Sequence, residues 1–272
     1  MGRTIAKELT FEGVGLHSGV ECRVVFHPSE ENGICFKTAN GIYKISEAVV
    51  EEDQRLTGFV LPDGTKIRTA EHMLAAVSGM CVDNLIIESF GGEIPIFDGS
   101  AVKFAQAIKN AGFIGEKDMY SPSVSVPVCI DEGNRCVFAM PSDKCRITYV
   151  IDYSGTPIAV QKVSYEINEQ IFFDIISKAR TFCLTTELEY LKANGLAGGG
   201  SLGCAMVFAN DKLLNEEGLR MPLECATHKV LDLMGDLTLL GRIPVAHYVA
   251  VCAGHAVHDR LVEKLKRLFK AD

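Results

Sequence analysis

Thr227-His228-Lys229-Val230-Leu231-Asp232-Leu233-Met234-Gly235-Asp236 is the stretch on which the reading of this chain turns. Val230, Leu233, Met234, Leu237, Leu240 and Gly241 recur at i, i+3, i+4, i+7 spacing, the apolar stripe of an amphipathic helix. On the other side His228 and Asp232 stand one turn apart, with Asp236 one turn further. An imidazole and a carboxylate so spaced can both reach one metal ion, and Lys229 adds a cation beside them. The same residues also describe a solvated helix face with an ordinary ion-pair neighbour. The stretch by itself leaves both readings open.

The chain around it has 272 residues, 47% of them hydrophobic, enough for one large or two modest cores. The charged fraction is ordinary, which argues against disorder. A formal charge of −8 argues against nucleic-acid binding through a basic surface, but not against a local phosphate site. There are ten cysteines but no CxxC pair, and the beginning, Met1 to Lys7, has no apolar signal core. Most of the cysteines sit in strand-like runs such as Val128-Cys129-Ile130, so buried thiols in a reducing compartment are expected. No run approaches the roughly eighteen apolar residues that span a bilayer. A cytoplasmic protein is expected.

Short strands open the chain. Lys7 to Phe11 leads into the glycine turn Gly13-Val14-Gly15-Leu16-His17-Ser18-Gly19, and Val20 to Phe26 alternates as a half-buried strand does. Thr69 is the expected N-cap of a helix in which Ala70, Met73, Leu74 and Val77 share a face and Glu71 and His72 point elsewhere. A strand from Val82 and a helix from Ser100 follow. Gly115 to Pro122 is the best linker. Beyond it come four more strands up to Glu166, helical patterns near 170–178 and 186–193, and the glycine loop Gly195 to Gly200. After the opening helix, a strand over 246–253 and a Leu- and Lys-rich helix over 257–269 close the chain. Strands, helix, strand, helix in each half reads as α+β. The expectation is two similar two-layer α/β sandwich domains, 1–118 and 119–272, packed together with the site between them. No residue-level repeat supports the likeness.

Of seven histidines, His17 sits in the glycine turn, His72 and His228 on polar helix faces, and His255 at a strand end. His27, His247 and His258 show no pattern and are set aside. Four stretches then converge: Gly13 to Gly19; Thr69-Ala70-Glu71-His72-Met73-Leu74-Ala75-Ala76; Pro95-Ile96-Phe97-Asp98-Gly99-Ser100-Ala101; and His228 to Asp236. In order and over nearly the whole chain they resemble the motifs of the UDP-3-O-acyl-N-acetylglucosamine deacetylases, the zinc amidases of lipid A biosynthesis. Ala179-Arg180-Thr181-Phe182 and Gly254-His255 add two weaker matches.

The resemblance implies that His72, His228 and Asp232 bind Zn²⁺. Two imidazoles and a carboxylate leave a fourth position for water, as in catalytic rather than structural zinc sites, and zinc brings that water's pKa to about 7. Glu71, beside a ligand, stands where zinc hydrolases carry their general base. The resemblance further gives Thr181 to the oxyanion, and His255, with Asp236 beside it, to the leaving nitrogen or the oxyanion. A neighbouring carboxylate keeps His255 protonated further into the neutral range. The implied substrate is a UDP-sugar carrying a long acyl chain. Lys229 and His17 would lie near its diphosphate, Phe182 on the sugar, and Leu184, Leu188, Ala197, Leu202 and Val207 along an acyl passage built by a helix-and-strand insert in the second domain. A monomer is the expected assembly.

The chain departs from the family pattern in three places. Thr227 stands where Arg is more usual, His258 where Asn is usual, and Asp53-Gln54-Arg55-Leu56-Thr57 is poorer in Thr. None removes an implied ligand. They keep open a related amidase acting on another acylated sugar, and beside it a non-catalytic protein with a structural metal, which would need neither Glu71 nor His255.

Overall fold

Each half of the molecule is built from two hairpins and one returning strand. The computed structural model describes residues 2–51, 56–117 and 121–271. In the first half Leu9–Val14 pairs with Glu21–Pro28, and Leu85–Phe90 lies antiparallel to Glu21–Pro28 and parallel to Ile34–Thr38. Gly41–Lys44 closes the far edge. In the second half Val128–Asp131, Cys136–Met140, His247–Val251, Arg146–Tyr153 and Ala159–Glu166 repeat that order, with the parallel pair in the same place. The burial alternates as strand geometry requires: Val24 and Phe26 point inward in one sheet, Ile147, Tyr149 and Ile151 in the other.

A strand that enters parallel to its neighbour needs a crossover, and helices supply it. The helices are α1 (Glu71–Gly79), α2 (Val102–Ala111), α3 (Glu169–Asp174), α4 (Thr185–Ala193), α5 (Glu224–Leu237) and α6 (His255–Ala271). In each half one helix precedes the central strand and another follows it: α1 and α2 in the first, α5 and α6 in the second. The fold is α+β. Between the edge hairpin and the leading helix each half carries an insert. The first is the small sheet Val49–Glu51, Gly58–Val60 and Lys66–Ile67. The second is a parallel pair, Phe182–Leu184 with Met206–Phe208, joined through α4.

The leading helices α1 and α5 pack directly on one another. A Cβ at Gly235 would sit 2.3 Å from the backbone oxygen of Glu71, so only glycine permits this crossing. All of α5 except Lys229 is buried. Its polar side is therefore an enclosed site, and the solvated-face reading does not hold.

Several expectations need correction. Thr69 does not cap α1. It adopts φ 55° and its Oγ1 donates to Glu93 at 2.7 Å, while Ala70 holds the cap position. The hydroxyl is turned to a buried carboxylate, a charge-assisted acceptor, and accepts from none of the free amides at the helix N-terminus. All ten cysteines are free, but only Cys22, Cys35, Cys204 and Cys225 are buried; the rest are half-buried. Asp53, Gln54 and Arg55, and residues 118–120 at the expected linker and domain boundary, lie outside the described residues. Among the described residues no helix is long and apolar enough to cross a membrane.

Gly235→Ala is expected to cost about 1–3 kcal/mol, the scale of overpacking a tight contact. Urea unfolding against the parent chain measures it, and an unchanged midpoint would mean that the helices cross less tightly than described.

Candidate metal centre and its cavity

His72 is the second residue of α1; His228 and Asp232 lie one turn apart on α5. The helix crossing gathers one ligand atom from each of the three within 4.8 Å of one another. His228 Nε2 stands 3.1 Å from Asp232 Oδ1, and His72 Nε2 stands 4.0 Å from the same oxygen. Ligands on a tetrahedral ion with bonds of about 2.0–2.1 Å stand roughly 3.3 Å apart, so the trio is near that spacing.

Hydrogen-bond accounting says what the trio can hold. His228 Nδ1 lies 3.0 Å from the Ala179 carbonyl oxygen, so in the neutral ring Nδ1 carries the proton and Nε2 turns a lone pair toward Asp232. Lys229 Nζ donates to Asp232 Oδ2 at 2.8 Å, which leaves Oδ1 for the imidazoles. His72 Nδ1 is buried with no hydrogen-bond partner. A lone pair facing a carboxylate oxygen repels it unless a cation lies between them. These residues fit a divalent ion. Burial, with the neighbouring His228, pushes the His72 imidazole down to about 3, so it stays a neutral donor. Burial opposes ionisation of Asp232, yet His228 and Lys229 hold its carboxyl well below the usual range.

A cavity of about 560 Å³ opens over this centre. Glu71, His72, Asp232, Lys229, His255 and Thr181 are among the residues that line it. Burial pushes the Glu71 carboxyl up to about 7 against the pull of His255, and its Oε2 accepts from the Thr57 amide at 3.0 Å. His255 opens α6. Its Nδ1 is 2.9 Å from Asp236 Oδ2, and its Nε2 is 3.9 Å from Asp232 Oδ2. Burial works against its imidazolium, but Asp236 more than compensates and raises its pKa. Lys229 Nζ lies 5.7 Å from the Phe182 ring centre, and that ring packs edge-on to Tyr153 at 5.5 Å.

Apolar side chains line the cavity as well: Leu188, Ala197, Leu202 and Val207, together with Leu191 and Leu214. Leu184 is not a lining residue; it packs against the hydrophobic core. The glycine loop roofs the space. Gly198 N–H donates to His17 O, and Gly199 N–H to Leu16 O, both at 3.0 Å. A Cβ at Gly199 would stand 2.3 Å from Gly15 O. These glycines therefore serve close backbone approach. His17 is held in the roof: Glu93 accepts from its amide at 2.8 Å, and its Nδ1 faces the Ala197 amide at 3.3 Å.

Residues 2–267 match the family described as UDP-3-O-acyl N-acetylglycosamine deacetylase. The chain belongs to that family. It is 38% identical to the UDP-3-O-acyl-N-acetylglucosamine deacetylase of Syntrophotalea carbinolica, over 96% of this chain and 86% of that one. The similarly named protein of Nitratidesulfovibrio vulgaris is also 38% identical, over 97% and 87% of the two chains. For that of Synechocystis sp. the identity is 37%, over 99% and 100%.

The sequence reading of this family member missed several residues at the site. His258, set aside above, lies in it: its Nδ1 is 2.7 Å from Asp236 Oδ2 and its Nε2 2.9 Å from the Tyr149 hydroxyl. The i, i+3 spacing from His255 was the available signal. Thr57 bonds Asp236 as well as Glu71. Nothing in a strand pattern distinguishes Tyr149 from a plain core residue. Arg180, quoted above only within a short match, is buried against Glu224 through its backbone N–H at 3.1 Å and its Nε at 2.9 Å. It also donates to Glu217 and to Gly218 O, and so fixes the segment that carries Ala179 and Thr181.

Glu224→Ala leaves this guanidinium without its buried partner, and stability is expected to fall by about 3–5 kcal/mol. Chemical denaturation measures the loss; less than about 1 kcal/mol would mean that Glu217 and water satisfy Arg180 unaided.

Proposed function

We propose that this chain removes the N-acetyl group from a UDP-3-O-acyl-N-acetylglucosamine by zinc-dependent hydrolysis, releasing acetate, as a step of lipid A biosynthesis. The observation that carries the reading is the close approach of His72, His228 and Asp232 beside a cavity lined by both polar and apolar side chains. Family membership supports it. His72, His228 and Asp232 hold the zinc ion in this reading. When bound, zinc would lower the pKa of a water it holds to about 7 and would polarise a carbonyl.

The chain's own side chains do the rest. Glu71 takes the proton of the attacking water, and the Thr57 amide orients its carboxylate. The Thr181 hydroxyl donates to the oxyanion that develops on the acetamide. His255, kept charged by Asp236, donates its Nε2 proton to the departing nitrogen. Lys229 and His17 attract the diphosphate, and the Phe182 ring packs on the sugar. Leu188, Ala197, Leu202 and Val207 shelter the acyl chain from water, worth about 0.8 kcal/mol for each methylene. The enzyme works as a cytoplasmic monomer with one site per chain, between the halves 1–118 and 119–272.

Acetate release from the acylated UDP-sugar is expected, abolished by a strong chelator and restored by Zn²⁺. Absence of release at any metal supplement would sink the reading, and release of another acyl group would move it to a related amidase. Glu71→Ala is expected to keep its metal and to lose at least about a hundredfold in kcat, the usual scale for a general base. A variant near the parent rate would remove Glu71 from that role.

A further inference from the structure

Behind the cavity wall lies a second buried cluster, Asp236, His255 and His258, joined by Tyr149 and Thr57. His258 and Tyr149 are not cavity-lining residues. Asp236, His258 and Tyr149 are each 0% exposed. Buried polar groups of this kind must satisfy one another.

Their donors and acceptors allow few arrangements. Asp236 is ionised and only accepts. His258 Nδ1, 2.7 Å from Asp236 Oδ2, therefore carries a proton. Burial disfavours the charged form of this ring. Its Nε2 lies 2.9 Å from the Tyr149 hydroxyl, which in turn donates its proton to the Ala253 carbonyl oxygen at 2.8 Å. Tyr149 and Asp236 so hold the His258 ring from its two nitrogens, and the ring places its Nδ1–H on Asp236.

Asp236 then has three donors around it. Thr57 Oγ1 reaches Oδ1, His258 reaches Oδ2, and His255 Nδ1 lies 2.9 Å from Oδ2 and 3.2 Å from Oδ1. Two of them hold the carboxylate plane while the third is the imidazole whose other nitrogen faces the cavity. We infer that His258, its ring held in place by Tyr149, is a positioning residue: it fixes the Asp236 carboxylate and through it the His255 ring. The inference rests on the roles proposed for Asp236 and His255. An Asn amide at this position can also donate to Asp236.

The test uses the full-length metal-loaded protein and three variants. His258→Leu fills the space without a donor, His258→Asn restores a donor, and Tyr149→Phe removes the hydroxyl that holds Nε2. His258→Leu is expected to lower kcat at least tenfold with KM within twofold, because the substrate contacts remain. His258→Asn is expected to recover to within about threefold of the parent, and Tyr149→Phe to fall between the two. In ¹⁵N-histidine-labelled protein the hydrogen-bonded Nδ1–H signal of His255 should persist in His258→Asn and be lost in His258→Leu. That signal is read without turnover, so a parent chain that releases no acetate would overturn the proposed function while leaving this inference testable. A parent-like kcat and unchanged His255 signal in His258→Leu would overturn the inference. So would a folded, metal-loaded His258→Asn as slow as the Leu variant. Should His258→Leu not fold, a Tyr149→Phe chain with parent kcat and signal overturns it, and a loss in both supports it.

Discussion

The close crossing of α1 and α5 is the contact on which the rest depends. It is close because Gly235 offers no side chain where the backbone of Glu71 passes. One helix supplies His72 and the other His228 and Asp232, so their mutual distances are distances between two backbones. Side chains reach their targets with little freedom when both supports are rigid, which is what a metal centre requires. The same closeness removes the polar side of α5 from water and forces each buried charge there to find a partner inside the protein.

Those partners are apportioned unevenly. Asp232 lies between Lys229 and His228, Asp236 between His255 and His258, and Glu224 against Arg180. Glu93 is met by two backbone amides and by Thr69. In Asp232 and Asp236 the pairing outweighs the cost of burial and the carboxyl stays ionised. Glu71 is the exception. Its hydrogen bond is to the Thr57 amide, burial dominates, and its carboxyl rises to about 7. A carboxylate near neutrality is suited to taking and returning a proton.

The two halves share a sheet order without sharing a sequence. Such a likeness is carried by strand alternation, by connection lengths and by the need of one parallel strand for a crossover, none of which demands particular residues. The candidate groups sit at different points of the repeated plan: the candidate metal trio uses the leading helices of both halves, whereas His255 opens the trailing helix of the second half alone. The inserts differ too. The first brings Thr57 to Glu71 and Asp236, and the second supplies much of the cavity's lining.

What the sequence determined by itself was local and periodic. The spacing of His228 and Asp232, the amphipathic stripe beside them, the strand alternation and the glycine turn are all relations within one element, and the ordered motifs pointed to the family. The tertiary structure decided which atoms leave water and what they then meet. Burial turned an apparently solvated helix face into a charged interior and drew Thr69 away from capping toward Glu93. It directed Leu184 into the core and brought the patternless His258 against Asp236 and Tyr149. The physical reason is desolvation. Its cost depends on every neighbour around a group, and those neighbours come from distant parts of the chain.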